Sequence, residues 1–155
     1  PRCPQINFIG IDLKDAVLGP ARRNIEQAFR EIGRPVDNVV LTALNIEQIQ
    51  FAMGPQDQVD RIYINFCNPW PRKKHQKRRL THPRQLEHYR QILTPGGEVR
   101  FKTDDEGLYA DTAEFRTEDL YSDLPEDNIQ TEHEKMFLQK GIKIKALSAK
   151  MPENS

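Results

Sequence analysis

The chain is poor in the features that mark membrane proteins, metalloproteins and disulfide-stabilised proteins. It holds two cysteines in 155 residues, Cys3 and Cys67, and they form no CxxC pair, so neither a disulfide framework nor a zinc site is indicated. No apolar run approaches the roughly 20 residues that cross a bilayer, and the first residues lack the layout of a signal peptide. We therefore expect a cytoplasmic globular protein that binds no metal and does not enter a membrane.

Net charge is also absent, because 23 Lys and Arg residues are balanced by 23 Asp and Glu residues. The length suits one domain with a single buried core and is too short to predict two. We expect a single domain over residues 1–155.

Segments with strand and helix patterns alternate along the chain. Runs of apolar and β-branched residues predict four strands, at 6–13, 39–44, 59–66 and 98–104. Apolar residues at three- and four-residue steps predict a helix over about 20–32, which Gly33 can end in a left-handed conformation.

A second helix is predicted to start at Pro83, and TPGG at 94–97 predicts a turn into the fourth strand. Repeated strand-helix-strand units predict an α/β fold with a mostly parallel sheet and helices on both faces. Such sheets bind ligands beyond the carboxyl ends of their strands.

A polar side chain stands at or just after the end of each predicted strand. These residues are Asp12, Asn45, Asn68 and Asp104. Asp and Asn are also favoured as turn formers and helix caps, so each residue taken alone has a purely local explanation. Because parallel strands end at one edge of a sheet, we expect the four side chains to converge on a site there.

The segment NFCNPWPRKKHQKRR at 65–79 concentrates positive charge directly after the third strand. No acidic residue intervenes between Asp60 and Glu87, so a polyanion is the expected partner and nucleic acid the natural candidate. If about four of the basic side chains neutralise phosphates, log K should fall with log salt at a slope near −3 to −4. Trp70 could stack on a base or anchor the loop, and its flanking prolines favour the anchor.

The segment TEHE at 131–134 has the pattern of a capping box, because Thr131 is followed three residues later by Glu134. A helix is therefore predicted to start there. KIKAL at 143–147 is predicted to form the closing edge strand.

The basic segment resembles the signature of bacterial tRNA (guanine-N7-)-methyltransferases, which runs D-P-W-P-K and then R-H-x-K-R-R. The resemblance extends through IGID at 9–12, FKTD at 101–104 and TEHE. It implies a Rossmann-like, S-adenosylmethionine-dependent methyltransferase fold. It also implies transfer of a methyl group from S-adenosylmethionine to N7 of a guanine in the variable loop of tRNA.

The resemblance implies a role for each matching position. Asp12 would bind the cofactor ribose, Asn45 the adenine edge, and Asn68, where the family usually has an aspartate, both cofactor and target base. Asn68 and Asp104 would be the catalytic residues. The remaining implied contacts are with substrate, by Arg72, Asp104, Thr131 and Glu134, and with RNA, by Lys74, His75, Lys77, Arg78 and Arg79.

Two parts of the family pattern are expected to be absent from the sequence. The family's E-x-G-x-G cofactor loop lies upstream of IGID, so the fold is expected to lack its first strand and this loop, and the chain alone to bind cofactor poorly. Little room remains for the family's next strand near 115–116, which predicts missing residues there.

Two other functions fit the residues. Asn-Pro-Trp is similar to the Asn/Asp-Pro-Pro-aromatic motif of exocyclic-amine nucleic-acid methyltransferases, in which Asn accepts from the target amine. A non-catalytic RNA-binding module would also use the basic segment. Cofactor binding and the position of the methyl group distinguish the three functions.

Overall fold

The computed structural model describes residues 3–114, 120–121 and 128–151. Its backbone contacts divide the chain into two compact units, Pro1–Ala52 and Met53–Ser155. The single domain expected from the length stays a prediction.

The first unit is a parallel two-stranded sheet with a long helix in the connection. β1 and β2 pair with Phe8 opposite Val39 and Asp12 opposite Ala43, so both strands end at the same edge. The elements in order are β1 (Phe8–Asp12), α1 (Asp15–Glu31), β2 (Val39–Ala43), a 3₁₀ turn (Ile46–Gln48) and α2 (Ile49–Ala52).

The helix α1 starts five residues before the predicted Pro20, which lies inside it. Its C-terminus agrees with the prediction, since Gly33 has φ 65° and Arg34 N–H donates to Phe29 O at 3.1 Å. This left-handed stop satisfies carbonyls that the end of a helix leaves unpaired.

The second unit is a mixed sheet with strand order β3-β4-β6-β5. β3 and β4 are parallel, whereas β6 runs antiparallel to both β4 and β5. Its elements in order are β3 (Val59–Asn65), a 3₁₀ helix (Lys73–Arg78), α3 (Pro83–Arg90), β4 (Leu93–Thr103), α4 (Glu106–Glu114), β5 (Leu120–Tyr121), α5 (Glu132–Gln139) and β6 (Lys145–Lys150).

The core of this unit contains a row of apolar residues across three neighbouring strands. Ile64 pairs with Phe101, and Phe101 pairs with Leu147. All three are at most 4% exposed, and full burial of such a side chain contributes about 1.5–3 kcal/mol. The row fixes the strand register and thereby the places where β3 and β4 end.

Two predictions about strands need correction. TPGG does not precede the fourth strand but lies within β4, where the pairing jumps from Val59–Leu93 to Arg61–Glu98 and Gly96 has φ 75°. The four residues turn as predicted, yet they do so as a bulge in a longer strand.

The last strand was predicted to be an edge, and this is wrong. β6 lies between β4 and β5, and it begins at Lys145 rather than at residue 143. The two-residue strand β5 carries too short a sequence pattern to be predicted. The prediction of missing residues near 115–116 falls outside the described residues.

Candidate active site

Asn68 and Asp104 line the same cleft, at the carboxyl ends of the parallel strands β3 and β4. Asn68 follows the last residue of β3 by three positions, and Asp104 directly follows β4. The cleft has a volume of about 440 Å³ and is lined by Phe66, Cys67, Asn68, Pro69, Asp104, Asp105, His133 and Phe137. For these two residues the predicted shared edge agrees with the structure, while their catalytic roles stay predictions.

The loop that carries Asn68 is bracketed by two strained residues. Phe66 and Trp70 have φ values of 53° and 43°, and they are the non-glycine residues with positive φ in the described part of the chain. Such a conformation costs roughly 1–3 kcal/mol per residue and persists only when the surroundings enforce it. The shape of this loop therefore depends on contacts outside it.

Asn68 makes a local turn with its side-chain oxygen. Asn68 Oδ1 accepts from Trp70 N–H at 3.0 Å, and the residue is exposed. Asn68 therefore forms the local turn that asparagine residues favour. Its amide nitrogen stays available to donate to a ligand.

Arg79 holds this loop from inside the protein. Its Nε donates to Pro69 O at 2.7 Å and a terminal nitrogen donates to Trp70 O at 3.5 Å, while the other terminal nitrogen pairs with Asp111. The residue is only 5% exposed. The RNA contact predicted for Arg79 is not favoured by this burial.

The other basic residues form an exposed surface on the 3₁₀ helix and the residue before it. A second, smaller cleft of about 240 Å³ adjoins this surface and is lined by Asn68, Trp70, Pro71, Arg72 and His75. The exposed members of the surface, which we call the basic surface, are Arg72, Lys73, Lys74, Lys77 and Arg78.

Trp70 packs against its own loop. Its ring lies 5.7 Å from the ring of His75, and the guanidinium of Arg78 lies 5.3 Å from the indole centroid. With the side chain half-buried, these contacts support the anchoring role that the sequence favours.

The predicted capping box at the start of α5 is confirmed. Thr131 Oγ1 accepts from Glu134 N–H at 3.2 Å, and Glu134 Oε2 accepts from Thr131 N–H at 2.9 Å. Glu134 is 3% exposed, and Lys102 Nζ donates to the same Oε2 at 2.8 Å. This carboxylate is used within the protein, so the substrate contact predicted for Glu134 is not favoured.

The surroundings of Glu134 also set its ionisation. Burial by itself raises the pKa of the Glu134 carboxyl, but the hydrogen bond from Lys102 and those from Thr131 more than offset it. The pKa therefore lies below its ordinary value and the side chain is ionised at neutral pH.

His133 is the functional candidate that the sequence did not reveal. Its ring lies 4.2 Å from the ring of Phe66 and 4.1 Å from that of Phe137, and all three side chains line the cleft of Asn68 and Asp104. The four-residue spacing of His133 and Phe137 indicates a shared helix face. The approach of Phe66 depends on the tertiary fold.

In the first unit, Asp12 and Asn45 lie at the same edge of the two-stranded sheet. Asp12 Oδ1 accepts from Lys14 N–H at 2.8 Å, and Asn45 Oδ1 accepts from Glu47 N–H at 3.1 Å. The second carboxylate oxygen of Asp12 is an acceptor suited to ribose hydroxyls, and the Asn45 amide can donate to a base edge. These donors and acceptors fit a nucleoside. The convergence of Asp12 and Asn45 with Asn68 and Asp104 on one site stays a prediction.

The thiol in the cleft and the rest of the described chain offer little further chemistry. Burial raises the pKa of the Cys67 thiol to about 11. The described residues contain no group of three or more His, Cys, Asp or Glu side chains that could hold a metal ion. None of their helices is both long and apolar enough to cross a membrane.

The fold is that of methyltransferases. The structure is similar to an rRNA methylase from Streptococcus thermophilus, with a TM-score of 0.56 and 14% identity over 94% of this chain and 74% of that one. It is also similar to a methyltransferase from Streptococcus mutans solved in complex with SAH, with a TM-score of 0.55 and 12% identity over 93% and 75% of the two chains. The chain thus has the predicted Rossmann-like α/β methyltransferase fold.

The sequence identifies the family more closely. A family model described as "Putative methyltransferase" matches residues 1–151. The tRNA (guanine-N(7)-)-methyltransferase of Clostridium beijerinckii is 53% identical over 94% of this chain and 71% of its own length. That of Acetivibrio thermocellus is 46% identical over 94% and 72%. The chain belongs to the tRNA (guanine-N7-)-methyltransferase family, as its motifs predict.

Proposed function

We propose that this chain transfers the methyl group of S-adenosylmethionine to N7 of a guanine in the variable loop of tRNA. The observation that carries the proposal is the cleft at the carboxyl ends of β3 and β4, which Asn68 and Asp104 line together. The basic surface stands beside it, because Asn68 also lines the smaller cleft with Arg72. A base and its phosphate backbone can be bound by these two neighbouring features.

The chemistry demands little proton transfer from the protein. Guanine N7 carries an in-plane lone pair at neutral pH and attacks a methyl group without first losing a proton. S-adenosylmethionine supplies that methyl group as an electrophile. The rate then depends on how well the base is positioned and how well the site stabilises the positive charge that develops on guanine.

Asn68 and Asp104 divide these two tasks. The Asn68 amide nitrogen donates to an acceptor on the base edge, such as guanine O6, while its oxygen holds the turn to Trp70. Asp104 is exposed at the end of β4 and supplies the negative charge that Asn68 lacks. A donor at position 68 suits the acceptor edge of guanine better than an exocyclic amine, which itself donates.

RNA binding belongs to the basic surface. We expect its five cations and the adjacent His75 to contact phosphates. We expect Thr131, at the start of the helix that carries His133, to contact the substrate. In the first unit, Asp12 would hold the ribose of the cofactor and Asn45 its adenine edge. We further propose that the protein works in the cytosol, which its two free and half-buried thiols suit.

The test is methyl transfer from radiolabelled S-adenosylmethionine to an unmodified tRNA transcript. We expect label at a single guanine, with strand cleavage by borohydride and aniline at that position, which reports N7 methylation. Label on an exocyclic amine would support the second enzyme class. RNA binding without cofactor binding would support the RNA-binding module.

A further inference from the structure

We propose that Arg79 is a positioning residue, which holds the loop of residues 66–71 so that Asn68 is presented to the cleft. The inference rests on the proposed function and deepens it, because it assigns one cation of the basic segment to the active site rather than to RNA. Arg79 differs from its neighbours, because the lysines and arginines of 72–78 are exposed whereas Arg79 is buried.

The guanidinium of Arg79 makes its contacts with groups of the protein. It donates to the carbonyls of Pro69 and Trp70, the two residues that follow Asn68, and it pairs with Asp111. A planar guanidinium can reach three acceptors in fixed directions, whereas a lysine ammonium is a compact charge on a flexible stem. Arginine is therefore the residue that can fix both carbonyls and the carboxylate together.

The loop needs such a support. Trp70 has φ 43°, and its carbonyl is one of the two that Arg79 binds. Asn68 fixes its own side chain through the Trp70 N–H. A change in the Trp70 backbone would thus move the turn that orients the Asn68 amide.

The same contacts join the two sides of the cleft. Asp111 lies on α4, whose start is capped by Asp105 Oδ1 through the N–H of Leu108 at 2.7 Å. Asp104 directly precedes this cap. Thr81 and Thr112 hydroxyls lie 2.7 Å apart and add a second link between the segment of Arg79 and α4. Arg79 therefore connects the loop of Asn68 to the helix that follows Asp104.

The experiment compares R79K with two reference variants of the full chain. R84K makes the same substitution at an exposed arginine of α3, and K77M removes one charge from the basic surface. Three quantities are measured: the single-turnover rate at saturating tRNA, the slope of log K against log salt, and the acrylamide quenching of Trp70. Trp70 is the only tryptophan of the chain, so its fluorescence reports on this loop.

For R79K we expect the single-turnover rate to fall by about 10- to 100-fold, because displacement of a positioning group by about 1 Å has effects of that size. R79M, which removes the charge as K77M does, should keep the wild-type salt slope, and quenching of Trp70 should increase in both R79K and R79M. R84K should match the wild type in all three quantities. K77M should reduce the slope by about one and leave the quenching unchanged.

The inference is overturned if R79M lowers the salt slope as K77M does while Trp70 is quenched as in the wild type. It is also overturned if R79K is less stable but keeps the wild-type single-turnover rate. If R79K does not fold, D111N is measured in its place. The inference is then overturned if Trp70 is quenched in D111N to the same extent as in the wild type. If the wild type methylates no guanine, the proposed function fails, and the quenching still decides whether Arg79 holds the loop.

Discussion

Lys102 and Glu134 form an ion pair of 2.8 Å between Nζ and Oε2, with each side chain 4% exposed. Lys102 lies on β4 two residues before Asp104, and Glu134 lies in the first turn of α5. The pair therefore ties the helix that carries His133 to the strand that leads to Asp104. It gives Glu134 a structural role beside its capping role.

Removing one partner of this pair should destabilise the protein strongly. E134Q leaves the Lys102 ammonium buried without a counter-charge, which costs about 3–5 kcal/mol in comparable cases. Urea denaturation at pH 7 measures the loss. E132Q is the matched control, because Glu132 is in the same helical turn with its side chain 93% exposed, and it should change the free energy of unfolding by less than about 1 kcal/mol. Equal stability of the two variants would contradict the role of the pair.

The contribution of Glu134 should depend on pH in a defined direction. Its folded pKa lies below the ordinary value of 4.5, so the stabilisation is complete well above that value and is lost as pH falls through the folded pKa. The difference in stability between wild type and E134Q should therefore shrink below pH 4.5. Denaturation curves at a series of pH values test this, and a difference that grows on acidification would exclude it.

His133 should act through its ring. Stacking of a base on an aromatic side chain contributes about 1–3 kcal/mol, so H133A should weaken productive binding of tRNA by about tenfold or more. H133F keeps a ring between Phe66 and Phe137 and should retain most of the activity. Steady-state kinetics with tRNA measure both, and K135A, at an exposed position of the same helix, serves as the control. Equal loss in H133A and H133F would show that the ring is not the relevant feature.

Cys67 should be slow to react although it lines the cleft. With a pKa of about 11, only about one thiol in a thousand is ionised at pH 8, and the thiolate is the reactive form. Iodoacetamide labelling of C3S, which leaves Cys67 as the single thiol, should accelerate steadily from pH 8 to pH 10. Rapid labelling at pH 7 would contradict the burial of this thiol.

The strands and the helix ends can be predicted from the sequence because they depend on local patterns. The β-branched runs gave β1, β2 and β3 to within two residues at each end, and Gly33 and the capping box of Thr131 lie where the pattern predicts. The start of α1 was missed because Pro20 is typical of a first turn, yet here it lies within the helix.

The roles of the buried charged residues cannot be predicted from the sequence. Arg79 and Asp111 are 32 positions apart, as are Lys102 and Glu134, and an arginine in a basic segment has the same local pattern whether it is buried or exposed. The strand order was likewise hidden, because β6 pairs antiparallel between β4 and β5. Such long-range contacts decide which members of a motif face a ligand.

The central claim is that Asn68 and Asp104 act together on one guanine, and single-turnover methyl transfer by N68D and D104N tests it most directly. E106Q, at an exposed carboxylate two positions beyond Asp104, is the control. We predict that D104N slows transfer by about 100-fold, because a charge that stabilises the transition state is lost. N68D should change the rate as well, because a carboxylate replaces the amide donor and adds negative charge at the target base. Rates equal to wild type in both N68D and D104N would contradict the account.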